Sequence, residues 1–255
     1  MALLLGGCAH TGGQRSAWGH GADFTPGWAA IGRAAREAAT NPYTWIPLAG
    51  AAALQIGDAD DEIADWARRE HPLFGSTTTA KDASDWLRLA TLGSYAGIGL
   101  GAPGCDGQWW ADKRAGFTVG AGTLLATKGI TSVLKTTTGR TRPNGRNNDS
   151  FPSGHSGFSA ASARLASDAL DSYDLTAGQR FAADAGLFSL VTATGWARVE
   201  AGEHRPSEVL VGAALGNFLA VFSTHAFLHP AFAGDARLQV ETLPGGAVLV
   251  FSASF

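Results

Sequence analysis

From Pro26 onward the chain is a succession of apolar stretches of helical length, each stopped by Gly, Pro, Asn or Asp, and this punctuation constrains its fold more than any other feature. The apolar periodicity predicts helices over about 26–39, 43–56, 59–70, 81–101, 109–137, 156–170, 175–198 and 206–227. Successive helices joined by short turns must bury their apolar stripes on one another, so the expected class is all-α, a single helical-bundle domain over 26–255. Glycine, 34 residues in all, suits close helix approach, as the four-residue spacing of Gly116/Gly120 and of Gly212/Gly216 allows. The segment 59–70 is the cleanest amphipath. Ala59, Ile63, Trp66 and Ala67 share one face while Asp60, Asp61, Glu62, Arg68 and Arg69 take the rest, so it is expected to lie on the core with its charges in water. Only the tail leaves the helical pattern: residues 238–255, with a Pro244-Gly245-Gly246 turn and Leu249, Phe251, Ala253 and Phe255 alternating, predict a short C-terminal β-hairpin.

With 45% apolar residues, a chain of 255 can bury a full core. Its net charge of −3 and lack of a long basic block leave no electrostatic footprint for nucleic acid; Arg140, Arg142 and Arg146 form a local cluster, which marks a site. Cys8 and Cys105 make neither a disulfide framework nor a metal-ligand spacing, and Cys105 reads as a loop thiol. Leu5-Gly6-Gly7-Cys8 resembles the lipobox of bacterial lipoproteins, which implies removal of the preceding segment and acylation of Cys8. Residues 1–25 then read as signal and tether, with order beginning near Pro26. A membrane span needs about 20 apolar residues. Only 209–234 is long enough, and it carries Asn217, His225 and His229; the other helices are cut by Lys128, Lys135, Asp184, Pro42 or Pro47. The expectation is a soluble or membrane-tethered body, with a polytopic inner-membrane protein as the alternative. Nothing in the pattern speaks to oligomeric state.

Three stretches carry chemistry. Gly139, following Thr136-Thr137-Thr138, is a helix stop that puts Lys135 in a last turn and Arg142 in the next loop. A planar guanidinium and a point-charge ammonium there can share one phosphoryl group, although such a pair taken alone is usually just solvated or pairing with the helix dipole. Phe151-Pro152-Ser153-Gly154-His155 precedes an apolar helix, so its backbone N–H groups open an anion site, with Gly154 allowing close approach and Ser153 adding a hydroxyl. Read alone, it is more often an N-cap serine beside an incidental histidine. Arg198 ends a helix, Pro206 starts the next, and His204 lies between, four residues before Glu208. A carboxylate on one ring nitrogen leaves the other unprotonated and nucleophilic, though a lone His-x-x-x-Glu pair is mostly a surface contact.

Together, in this order and spacing, the stretches resemble the signature of the type 2 phosphatidic acid phosphatase family, whose superfamily includes vanadium haloperoxidases and bacterial class A acid phosphatases. The pattern runs Lys-x6-Arg-Pro, Pro-Ser-Gly-His, and Ser-Arg-x5-His-x3-Asp. The first two are complete here; in the third, Ala197 replaces the serine and Glu208 the aspartate. The resemblance spans about 135–208. It implies a metal-independent phosphatase of monoesters or diphosphates, with Lys135, Arg142, Ser153, Gly154 and Arg198 on the phosphoryl oxygens. His204 would attack phosphorus to give a phosphohistidine, oriented by Glu208, and His155 would protonate the leaving oxygen. No cofactor is implied, and vanadate fits the same pocket. The implied partner is a phosphorylated substrate, either a membrane lipid phosphate or a small soluble monoester, at a bacterial cell envelope on the periplasmic side. A haloperoxidase and a noncatalytic phosphoryl-binding lipoprotein are the competing expectations.

Overall fold

The computed structural model describes residues 17–104 and 107–228, and the backbone of 237–243 and 246–252. The lipobox around Cys8, the loop thiol Cys105, His229 and the hairpin's turn and end lie outside the described residues. Among the described residues eight helices follow in order: α1 (Trp28–Thr40), α2 (Pro42–Ala53), α3 (Ala59–Glu70), α4 (Thr77–Gly101), α5 (Trp109–Thr138), α6 (Gly154–Leu170), α7 (Ala177–Glu200) and α8 (Pro206–Ser223), which runs on into a π-helical turn, Thr224–Leu228. The described tail holds two antiparallel strands, β1 (Arg237–Leu243) and β2 (Gly246–Ser252), with Leu238 opposite Phe251.

Where helix ends depart from their expected positions, caps explain it. Ser76 accepts from the Thr79 N–H, so α4 begins four residues earlier than its apolar pattern suggests. Ser153 caps α6, which makes Gly154 and His155 its first two residues, ahead of Ser156. Helix α7 passes Arg198 and ends at Glu200, beyond which Gly202 turns the chain at φ 64. Gly139, at φ 55, returns its N–H to the Lys135 carbonyl and closes α5.

Helix α6 is surrounded by α4, α5, α7 and α8. Its seam with α8 is a line of glycines. A Cβ on Gly216 would come within 2.0 Å of the Gly157 carbonyl oxygen, and one on Gly212 within 2.3 Å of the Ser153 carbonyl oxygen, so the start of α6 lies directly on the backbone of α8. Hydroxyls fill much of the remaining interior: Thr123, Thr127 and Thr131 each donate to the carbonyl one turn back at 2.8–2.9 Å, while Ser159 bonds Thr91 and Thr194 at 3.1 and 3.3 Å.

Large apolar side chains lie outside. Trp86, Leu125 and Phe181 are 71–76% exposed, and Val133, Phe188 and Leu100 follow. Small and hydroxylated residues inside with bulky apolar ones outside is the arrangement of helices whose surroundings are hydrocarbon, where tight backbone approach replaces burial as the source of cohesion. Two helices, α5 and α8 continued by its π turn, are long and apolar enough to cross a bilayer by length and composition. The expectation of a single long apolar stretch missed α5 because it weighed Lys128 and Lys135. These lie toward one end and Asp112, Lys113 and Arg114 toward the other, leaving 115–127 uncharged.

Two further expectations change. The segment 17–25 is not all tether: Trp18 is buried in a slot that Gly99 and Gly116 leave open between α4 and α5, edge-on to Tyr95 and Phe117. Helix α3 spans its expected residues, but Asp60 turns inward and caps α8, accepting from the Ser207 N–H at 2.8 Å and from its hydroxyl at 2.5 Å. Trp66, placed by the pattern on the core face, is 45% exposed and leans on Trp196.

Candidate active site

The last turn of α5 holds Lys135 beneath the loop that joins it to α6. The Lys135 ammonium donates to the Asp149 carbonyl oxygen. Arg142 is clamped from the same loop, its Nε and Nη2 donating to the two Asp149 carboxylate oxygens at 2.7 and 3.0 Å. Backbone bonds stitch this loop to itself and to the turn before α8: Ser150 N–H to Arg140 O at 2.9 Å, Asn144 N–H to Gly202 O at 3.0 Å. Asn144 and Gly202, 58 positions apart in sequence, are thereby fixed side by side.

At the start of α6 the Ser153 hydroxyl accepts from the Ser156 N–H and hydroxyl, which leaves its own proton free to donate. Gly154 and His155 occupy the first helical turn, whose N–H groups have no acceptor within the helix and suit an anion. His155 Nε2 lies 2.8 Å from the Asp85 carboxylate of α4. Burial, and then the nearby Arg198 charge, pull the His155 pKa down to about 4 against the opposing effect of its hydrogen bond to the Asp85 carboxylate.

Arg198, buried near the end of α7, points Nη1 at the Ser84 hydroxyl of α4 at 3.3 Å and Nη2 at the Glu203 carboxylate at 3.1 Å; its Nε is buried and unpartnered. His204 is also buried, with Nδ1 3.3 Å from Glu208 Oε2. That oxygen accepts as well from the Ser150 hydroxyl and from the Arg205 N–H at 3.0 Å, while Arg140 Nε faces the other oxygen at 3.2 Å. The extra methylene of Glu208, relative to aspartate, is thus absorbed in a carboxylate held from three sides. Burial lowers the His204 pKa to about 4, with Arg198 and Lys135 adding to the effect and Glu208 opposing it. With Nδ1 on the carboxylate, Nε2 carries the free lone pair.

Arg198 is the hinge of the arrangement, since its charge bears on both imidazoles and Lys135 reaches His204 as well. Lys135, Arg142, Ser153, Gly154, His155, Arg198, His204 and Glu208 all sit at one end of the bundle. Motif spacing missed Ser84 and Asp85 on α4, Asp149 and Ser150 in the loop, and Glu203. Ser84 and Asp85 lie 50 residues before Lys135, and no local pattern ties them to it. Asp149 and Ser150 stand beside Phe151-Pro152, where proximity to the motif was the available signal.

Residues 115–229 match the PAP2 superfamily. Among solved structures the chain is similar to a transmembrane PAP2-type phosphatidylglycerolphosphate phosphatase from Bacillus subtilis, with 21% sequence identity and a TM-score of 0.52 over 71% of this chain and 92% of that one. At that identity the likeness speaks for a shared helical fold. No curated protein matches the chain.

Proposed function

With a PAP2 superfamily domain as its frame, we propose that this chain is a membrane phosphatase that hydrolyses lipid-linked phosphate monoesters or diphosphates through a phosphohistidine on His204. One observation carries the reading: the Arg198 charge acts on two imidazoles, the buried His204, oriented by a carboxylate, and the half-buried His155, at a helix start with free N–H groups. Such a site serves a tetrahedral oxyanion attacked from one side and relieved of its leaving group on the other.

In the proposed step Lys135, Arg142 and Arg198 bind the phosphoryl oxygens together with the Gly154 and His155 N–H groups, so developing charge is met by fixed donors. His204 Nε2 forms a bond to phosphorus as the bond to the leaving oxygen breaks, and His155 gives that oxygen its proton. Water then attacks the phosphohistidine, returning a proton to His155, and the nitrogen–phosphorus bond breaks to release phosphate. The exposed bulky apolar side chains and the two long apolar helices support a bilayer setting with α5 and α8 as spans, which favours a substrate anchored in the same membrane. The solved structure it resembles is described as a phosphatase of phosphatidylglycerolphosphate, a ligand of that class.

The test is phosphate release by the full chain in detergent, from phosphatidylglycerolphosphate, phosphatidate and a polyprenyl diphosphate against a water-soluble aryl phosphate, with and without chelator. Preference for the lipids, insensitivity to chelator and an acid-labile labelled intermediate are expected. Release no faster than that of His204→Ala from every substrate removes the enzyme assignment.

A further inference from the structure

The residue immediately before His204 is Glu203, and its carboxylate is buried. Its Oε2 is 3.1 Å from Arg198 Nη2 and in direct contact with Arg142 Nη1. These two guanidinia belong to different elements, the end of α7 and the loop after α5, and they converge on a single carboxylate oxygen. A phosphoryl oxygen shared by the same two cations would take that place. Arg142 is further committed by the bidentate clamp of Asp149. The Nε of Arg198, by contrast, is a buried donor with no partner, as expected of a cation only half served by the anion beside it.

We infer that Glu203 is an internal occupant of the oxyanion pocket: its carboxylate sits where phosphoryl oxygens bind and must swing aside before substrate enters. The inference rests on the phosphatase reading and deepens it by naming the residue that limits affinity. Two like charges cannot share one pair of guanidinia, so binding is a choice between them. The Glu203 N–H is held by the Arg198 carbonyl at 3.1 Å, which fixes its backbone and leaves side-chain rotation as the route out. Because only the state with the carboxylate withdrawn accepts an anion, apparent affinity falls by the fraction of time spent in that state. A pocket so occupied also expels its product. Released inorganic phosphate loses the guanidinia to a carboxylate that is always at hand, and product inhibition is weak.

The experiment measures the dissociation constant of inorganic phosphate by calorimetry, and KM and kcat for a lipid phosphate, using the full chain in detergent and its Glu203→Gln and Glu203→Asp variants. Glutamine keeps the volume and removes the charge. It is expected to tighten phosphate about tenfold, as for a competent state populated roughly one-tenth of the time, with KM falling in parallel and kcat within a few fold. Aspartate, one methylene shorter, is expected to fall between. Unchanged phosphate affinity in Glu203→Gln overturns the inference, and so does weaker affinity, which would make Glu203 a support for the arginines. If the wild type hydrolyses and only the Glu203→Gln result fails, this inference alone falls. If the wild type releases no phosphate and no variant binds it, the phosphatase reading falls too.

Discussion

Helix α5 carries a lysine at each end, and the two ends of the bundle use them differently. At one end Lys113, 1% exposed, donates to the Ala102 carbonyl oxygen at 2.5 Å under the rings of Trp18 and Trp109, whose centroids lie 5.3 and 5.7 Å from its ammonium. Aromatic faces and a carbonyl close over it. At the other end Lys135 lies near Arg142 and Arg198, within reach of the Asp149 and Glu208 carboxylates and of His204, with the Asp149 carbonyl as its hydrogen-bond partner. A cation enclosed by rings holds a bundle end together; one grouped with other cations, which nearby carboxylates only partly offset, can take up a further anion. The contrast yields a rule to test: substitutions at the Lys135 end should change catalysis with little change in melting, and those at the Lys113 end the reverse.

The largest expected effect is at His204. Its alanine variant loses the nucleophile, and kcat is expected to drop by about 10⁴ or more, by analogy with nucleophile losses elsewhere. Single-turnover phosphate release measures it, and near-native turnover would remove the phosphohistidine. Arg198→Ala follows, with an expected loss of roughly 10²–10³ in kcat, the scale of removing one oxyanion donor. In both variants a melting temperature that collapses along with activity would break the contrast, because the loss would then be structural.

A smaller effect is expected at Asp85, which acts on the reaction through His155. In the free protein both imidazoles have pKa values lowered to about 4. Each is therefore neutral well above that pH, while the reaction needs one neutral and one protonated ring. The pH profile of kcat/KM is expected to peak in the acid range and to fall on its alkaline side, with apparent pKa values that belong to the pair. A bound phosphoryl dianion favours protonation of both rings and moves the kcat profile to higher pH. Asp85→Asn removes the carboxylate that opposes the depression of His155. The expected result is a loss of about tenfold in kcat/KM near neutral pH, an acid shift of the profile, and recovery in Asp85→Glu. An unshifted profile makes Asp85 a purely structural partner.

The same contrast explains what the sequence disclosed. The motif residues around Lys135, Ser153 and His204 were legible because turns and caps fix them locally: Gly139 stops α5, Ser153 starts α6, Pro206 starts α8. Asp85 and Ser84 were not, since they join the site only through the packing of α4 on α6 and α7. At the far end, Trp18 read as tether because a lone tryptophan in a Gly-rich segment has no periodicity, and the slot that receives it is made by two glycines about 80 and 100 residues later. The helices themselves were legible as periodic segments. Their surroundings were not, because α5 carries charges at Asp112, Lys113 and Arg114 and again at Lys128 and Lys135, and the uncharged run 115–127 between them looks, in linear sequence, too short to span a bilayer.

The least effect on catalysis, and the sharpest check on the rule, is expected from Trp18→Ala. The indole fills space that a Cβ on Gly116 would enter to within 2.7 Å, so truncation leaves a void that the neighbouring backbones cannot close. Loss of a buried tryptophan costs roughly 3–5 kcal/mol in a core. In a chain of this size that corresponds to a fall in melting temperature on the order of 10 °C. Lys113 would lose one of its two rings and keep its carbonyl, so the end loosens without exposing a bare charge. The site lies at the opposite end of α5, roughly 33 Å away for the 22 residues from Lys113 to Lys135 at 1.5 Å rise each. Well below the melting temperature, kcat/KM is therefore expected to stay within about twofold of the wild type. A variant that melts normally yet loses most of its turnover would mean that the two ends communicate along α5, and the division between a closed cation and an open one would no longer hold.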